Sequence, residues 1–62
     1  MHDDLPRIGA PATRALASIG VTRLDDVAGR TESELLALHG VGPKAIRLLN
    51  EALVERGRPR LG

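Results

Sequence analysis

The chain's most informative segment reads Leu38-His39-Gly40-Val41-Gly42-Pro43-Lys44-Ala45-Ile46-Arg47-Leu48-Leu49. Its two glycines interrupt an apolar pattern, and glycine is the residue that lets a backbone turn tightly or pass close to another body. Pro43 suits the first position of a helix, where its missing N–H costs nothing. We therefore expect a tight turn at residues 40–42 between two helices, with Lys44 in the first turn of the second helix.

The start of that second helix is a candidate anion site. The first N–H groups of a helix lack partners within the helix, and the positive end of its dipole attracts phosphate. Backbone N–H groups near Gly40, Val41 and Gly42 are expected to hold one phosphate, and Lys44 and Arg47 to neutralise its neighbours. This pattern is typical of the helix-hairpin-helix, which contacts the backbone of nucleic acid rather than base edges.

The composition indicates one small domain, residues 1–62, in which residues 1–4 and 58–62 are expected to be flexible. The chain has no cysteine, which excludes disulfides and thiolate metal sites and fits a reducing cytoplasm. Its two histidines, His2 and His39, do not suggest a metal site. We expect no cofactor, no membrane span and a cytoplasmic location, associated with the nucleoid if the protein binds DNA.

Charge and aromatic content restrict the kinds of partner. Nine basic and eight acidic residues give a net charge of +1, so only the distribution of charge can favour nucleic acid. Phe, Tyr and Trp are absent, which excludes a surface that stacks on bases. The core must consist of Leu, Ile, Val and Ala, with an expected stability of about 3–5 kcal/mol.

The predicted fold class is all-α, a compact bundle of four to five short helices. Strand signals are missing, since no alternating run of β-branched residues extends over four positions. The expected helices are residues 11–18, ended by Gly20; a short helix capped by Thr22 and ended by Gly29; a helix opened by a capping box of Thr31 and Glu34; and a last helix from Pro43 to about Arg56, ended by Gly57. The last helix carries an apolar stripe of Ile46, Leu49 and Leu53.

Two segments of the chain are similar to each other in sequence, and we call this similarity the internal echo. Residues 8–16 can be laid on residues 41–49, with identities at Gly9/Gly42, Ala12/Ala45 and Arg14/Arg47. We interpret this echo as two pseudo-symmetric hairpins, of which the first is degenerate because Pro6-Arg7 stands where the second has His39-Gly40. The predicted DNA-binding residues are therefore Gly40, Val41, Gly42, Lys44, Arg47, Arg14, Gly9 and Arg7, of which Arg14 and Arg7 serve the other strand of a duplex.

From Leu5 to Gly62 the chain resembles the C-terminal domain of the bacterial RNA polymerase alpha subunit, and it is similar to small stand-alone helix-hairpin-helix proteins of that plan. The segments that carry the resemblance are residues 20–27, 31–36, 42–46 and 55–57, in matching order and spacing. The resemblance implies a SAM-like bundle of four or five short helices. It also implies DNA contact through the start of the first helix and the hairpin before the last one.

Residue by residue, the resemblance puts Gly42 and Lys44 where that family approaches the phosphates. Ala45 stands where the family usually offers a hydroxyl, and Pro11 where it has the arginine that enters the minor groove. Arg14, one turn later, stands where the family has an asparagine. These departures favour backbone contact without sequence selectivity.

The predicted function is that of a small DNA-binding protein whose partner is double-stranded DNA. The alternative is a protein-interaction module, transcription-related or self-associating, in which the hairpin is only structural. It would use an apolar patch around Leu5 and Ile8 or an acidic face made of Asp25, Asp26, Glu32 and Glu34. The serines and threonines have no base and acid arranged around them, so we expect no enzymatic activity and no small-molecule substrate.

Overall fold

The computed structural model describes residues 5–62, and within these residues it contains four helices and no strand. The helices are α1 (Ala10–Ser18), α2 (Leu24–Val27), α3 (Glu32–Leu36) and α4 (Pro43–Glu55). They form a compact body with a Cα radius of gyration of 10.2 Å. The all-α class and the four-helix count are thus confirmed. The expected flexibility of residues 1–4 lies outside the described residues.

The two longer helices, α1 and α4, begin and end in the same way. Each starts after a glycine N-cap, Gly9 or Gly42, with a proline in its first turn. At the end of α4, Gly57 has a φ of +73° and its N–H donates to the carbonyl of Val54 at 2.9 Å, while Arg58 donates to Leu53 at 2.8 Å. This pair of bonds is a Schellman motif, and residues 20 and 21 repeat it at the end of α1.

The short helices α2 and α3 differ in how they are capped. The capping box predicted for α3 is confirmed: the Thr31 hydroxyl accepts the N–H of Glu34 at 3.0 Å, and the Glu34 carboxylate accepts the N–H of Thr31 at 3.4 Å.

The predicted cap of α2 is wrong, because the N-cap is Arg23 and Thr22 lies one residue too early. Residues 21–23 carry the chain from Val21, which is fully buried, to Leu24, which is 2% exposed. Thr22 is left on the surface between them, and its N–H donates to the Asp26 carboxylate at 3.4 Å.

The core contains only aliphatic residues, as predicted. Its buried members are Ala12, Leu16, Val21, Leu24, Val27, Leu35, Val41, Ala45, Ile46, Leu49, Leu53 and Leu61. Helix α4 packs against α2 and α3 and supplies the predicted apolar stripe. The internal echo has a packing counterpart, since Ala12 and Ala45 are both buried and Leu16 and Leu49 are both fully buried.

The C-terminal segment 58–62, for which flexibility was expected, contacts the bundle through Leu61 and Gly62. Leu61 is only 8% exposed, and its N–H donates to Oδ1 of Asn50 at 2.8 Å. The backbone of Gly62 forms two further bonds, donating to the carbonyl of Arg30 at 3.2 Å and accepting from the N–H of Glu32 at 2.9 Å. The basic residues of the tail do not indicate this anchoring, because it depends on the Leu61 side chain and the buried amide of Asn50.

Candidate nucleic-acid interface

An open cleft lies where the segment before α1 meets the start of α4. It has a volume of about 350 Å³ and is lined by Arg7, Ile8, Gly9, Gly40, Gly42, Lys44, Ala45 and Leu48. The structure therefore brings together the predicted site residues Arg7, Gly9, Gly40, Gly42 and Lys44, which come from the two halves of the internal echo. Ile8, Ala45 and Leu48 form its apolar wall.

The first turn of α4 offers unused donors to this cleft. The first hydrogen bond into the helix runs from the N–H of Ile46 to the carbonyl of Gly42 at 3.1 Å. Among the described residues, the N–H groups of Gly42, Lys44 and Ala45 donate to no protein acceptor. A group bound in the cleft would meet these donors at the positive end of a 13-residue helix.

Val41 does not belong to the site as predicted. Its side chain is 7% exposed and lies in the core, and its N–H donates to the carbonyl of Leu38 at 3.2 Å. This hydrogen bond closes the turn after α3, so the Val41 N–H is already used within the chain. The apolar residue between the two glycines anchors the turn.

The other two predicted cations, Arg47 and Arg14, are not brought to the cleft. Arg47 lines a separate groove along α4, together with Asn50, Glu51, Val54, Glu55 and Arg60. Arg14 is exposed on α1 and lines neither this groove nor the cleft. Lys44 and Arg47 are three residues apart on α4, but Lys44 lines the cleft and Arg47 lines the groove.

The glycines at the two ends of Gly40-Val41-Gly42 lack a side chain for different reasons. Gly40 has a φ of +102°, and a Cβ placed on it would lie 2.8 Å from the carbonyl oxygen of Pro11. Gly42 has a φ of −117° and a ψ of −179°, an extended conformation open to any residue. A Cβ on Gly42 would meet nothing within 4 Å. The fold therefore requires glycine at position 40 but not at position 42.

The charges are arranged so that the cleft is basic although the net charge is only +1. No carboxylate of residues 5–62 lines it. Within residues 5–62, Arg7 and Lys44 form no side-chain hydrogen bond or ion pair. Two other pairs of charges are matched, Arg30 with Glu34 at 2.9 Å and Arg58 with Asp25 at 2.8 Å. In the part of the chain that the structure describes, these two cations thus have no compensating carboxylate in the cleft.

The acidic face, which is the alternative surface for a protein partner, forms hydrogen bonds and ion pairs within the chain. Besides the pairs of Asp25 and Glu34, the Glu32 carboxylate accepts a hydrogen bond from Asn50 at 3.1 Å, and Asp26 accepts the bond from Thr22. These carboxylates stabilise helix starts and hold the tail, so they are less available to a partner.

Residues 5–62 contain no group of three or more His, Cys, Asp or Glu side chains arranged to hold a metal ion. None of the four helices is long and apolar enough to cross a membrane. His39 lies exposed beside Gly40 and outside the lining of the cleft.

Comparison of the chain with protein-family models, curated proteins and solved structures gave no match.

Proposed function

We propose that this chain is a small DNA-binding module that contacts the phosphate backbone of a duplex, largely without sequence selectivity. On this proposal the segments that start α1 and α4 belong to two pseudo-symmetric helix-hairpin-helix motifs. Their bundle is then similar to the C-terminal domain of the bacterial RNA polymerase alpha subunit, and the protein works in the cytoplasm on the nucleoid. The observation that carries the proposal is the cleft that joins Arg7 and Gly9 to Gly42 and Lys44.

The chemistry of the cleft fits a phosphate. An anionic oxygen that approaches a backbone closely needs positive charge, free N–H donors and open space. The cleft offers two cations and three N–H groups without partners among the described residues, and an open position at Gly42. The first N–H groups of any helix lack partners within the helix, and here two cations line the same cleft, which favours an anionic ligand. Phosphate contact of this kind carries no sequence information, which agrees with Pro11 at the start of α1, where there is no side-chain donor.

The test is an amide chemical-shift titration of the ¹⁵N-labelled protein with a short DNA duplex at low salt. We expect shifts at residues 7–9 and 42–45 and a dissociation constant of roughly 10⁻⁴–10⁻⁶ M. Two phosphate contacts, from Arg7 and Lys44, give an expected salt slope of about −1.8, so affinity falls by about 12-fold between 50 and 200 mM salt. A duplex that leaves these residues unshifted at low salt contradicts the proposal.

Lys44 and Arg47 provide a matched pair of charge reversals. Both side chains are exposed on α4 and both substitutions, Lys44→Glu and Arg47→Glu, change the net charge by the same amount, but only Lys44 lines the cleft. We expect Lys44→Glu to weaken binding and to lower the salt slope by about 1, and Arg47→Glu to leave the slope unchanged. Equal effects would mean that binding follows overall charge and not the cleft.

The same titration tests the protein-interaction alternative. A partner held by apolar contact stays bound at 0.5 M salt, a concentration at which phosphate binding is lost. Sedimentation of the free protein at several concentrations tests self-association, which would appear as a mass that rises with concentration.

A further inference from the structure

We propose that Gly40 is a positioning residue for the phosphate cleft. Its missing Cβ lets the turn between α3 and α4 pack directly on the first turn of α1, and this contact fixes where Arg7 stands relative to Lys44. The inference rests on the proposed function, because it concerns how the two cations of that cleft come to act on one nucleic acid. It gives Gly40 a different role from the phosphate contact expected from the sequence.

The contact is between backbone and backbone. A Cβ built on Gly40 would lie 2.8 Å from the carbonyl oxygen of Pro11, 3.1 Å from its carbonyl carbon and 3.4 Å from its Cβ. The first two atoms belong to the helix backbone, which cannot move aside as the end of a flexible side chain can. Any side chain at position 40 therefore pushes the turn away from α1.

The position of this contact along the chain links it to the cations. Pro11 follows Arg7 by four residues, and Gly40 precedes Lys44 by four residues. Each cation is thus tied to the contact by a short segment, and one of these segments includes the closed turn of Val41. Displacing the turn from α1 changes the separation of Arg7 and Lys44, so that one phosphate backbone no longer meets both.

Gly29 supplies a control for backbone strain. Gly40→Ala suffers from its positive φ as well as from the steric clash, because L residues disfavour φ near +100°. Gly29 has a φ of +89° and nothing within 4 Å of a built Cβ. Gly29→Ala therefore carries a comparable strain without moving the turn. A difference between the two variants reports the contact with Pro11.

The salt dependence of DNA binding separates positioning from loss of stability. A smaller folded fraction multiplies the dissociation constant by the same factor at each salt concentration and leaves the slope of log affinity against log salt unchanged. Loss of one phosphate contact lowers that slope by about 0.9. We expect slopes of about −1.8 for the unmodified protein and Gly29→Ala, and about −0.9 for Gly40→Ala.

A second measurement does not depend on the folding of Gly40→Ala. If the contact fixes the two halves of the cleft, residual dipolar couplings of residues 10–18 and 43–55 in the unmodified protein fit one alignment tensor, with the same relative orientation free and DNA-bound. Reorientation of α1 against α4 on binding overturns the inference, as does an unchanged slope in folded Gly40→Ala. Failure of the unmodified protein to bind duplex DNA overturns the proposed function instead, so the two failures are distinguishable.

Discussion

Replacing Gly42 with serine is expected to stabilise the fold and to weaken DNA binding. Gly42 is the N-cap of α4, its backbone is extended, and a Cβ there meets nothing within 4 Å. Serine is among the best N-cap residues, and its hydroxyl accepts the N–H of the second or third helical residue. In α4 these are the N–H groups of Lys44 and Ala45, which have no acceptor among residues 5–62.

The gain in stability has two parts. A serine cap is better than a glycine cap by a few tenths of a kcal/mol. Removing a glycine also reduces the conformational freedom of the unfolded chain, which contributes about 0.4–1 kcal/mol. Together they give a gain of about 0.6–1.4 kcal/mol, which for a domain of this size raises the midpoint of thermal unfolding by roughly 2–11 °C.

The loss of binding comes from the added Cβ and from the serine hydroxyl. The new side chain enters the cleft, and its hydroxyl takes an N–H group that the proposed function gives to phosphate. A hydrogen bond to a charged group is worth about 1.5–3 kcal/mol, so losing one weakens binding by about tenfold or more. Gly42→Ala is the control, because it fills the cleft in part but leaves the N–H groups of Lys44 and Ala45 free. Its affinity should fall between those of Gly42→Ser and the unmodified protein.

Thermal unfolding followed by circular dichroism and a fluorescence-anisotropy titration with labelled duplex measure the two effects. Higher stability with unchanged affinity would show that Gly42 does not face the bound DNA and would refute the phosphate cleft. Lower stability would refute the interpretation of Gly42 as a glycine that the fold does not need. The substitution is expected to raise stability and to lower affinity, whereas simple damage to the fold lowers both.

Two further predictions concern the folding energy of the described chain. Asn50→Leu removes the acceptor of the buried Leu61 N–H and the donor to Glu32, and we expect a loss of about 1–3 kcal/mol in urea unfolding. An unchanged midpoint would mean that the Leu61 side chain and the Gly62 backbone hold the tail without Asn50. Thr31→Ala removes one half of the capping box of α3 and should cost about 1 kcal/mol by the same measurement, with Glu34→Gln as the milder variant. No loss in Thr31→Ala would indicate that the N–H of Glu34 finds another acceptor.

Local sequence signals predicted most of the secondary structure. Proline after glycine, glycine at helix ends and the Thr31/Glu34 capping box each act within a few residues, so they can be recognised without the fold. The cap of α2 could not be predicted in this way. Its start depends on the burial of Val21 and Leu24 against the rest of the bundle, which left Thr22 outside the helix.

The anchored tail was missed because its partners are far away in the sequence. Leu61 lies in a segment of arginine, proline and glycine, and its hydrogen-bond acceptor, Asn50, is eleven residues earlier. One signal was present: an asparagine interrupts the apolar face of α4 directly after Leu49, and a polar residue at such a place needs a partner. Identifying that partner requires the tertiary structure.

Gly40 and Gly42 show why a motif predicts a site better than it predicts the roles within the site. In the sequence, both glycines mark a place where the backbone can be approached closely. The structure separates them, because the first turn of α1 fills the space beside Gly40, while the space beside Gly42 remains open to the cleft. An absent Cβ is evidence for an external ligand only where the chain itself neither occupies the space nor needs a positive φ. At Gly42 the space is open and φ is negative, so the case for phosphate binding rests on this glycine. At Gly40 the chain fills the space and φ is positive, so this glycine determines the geometry of the cleft.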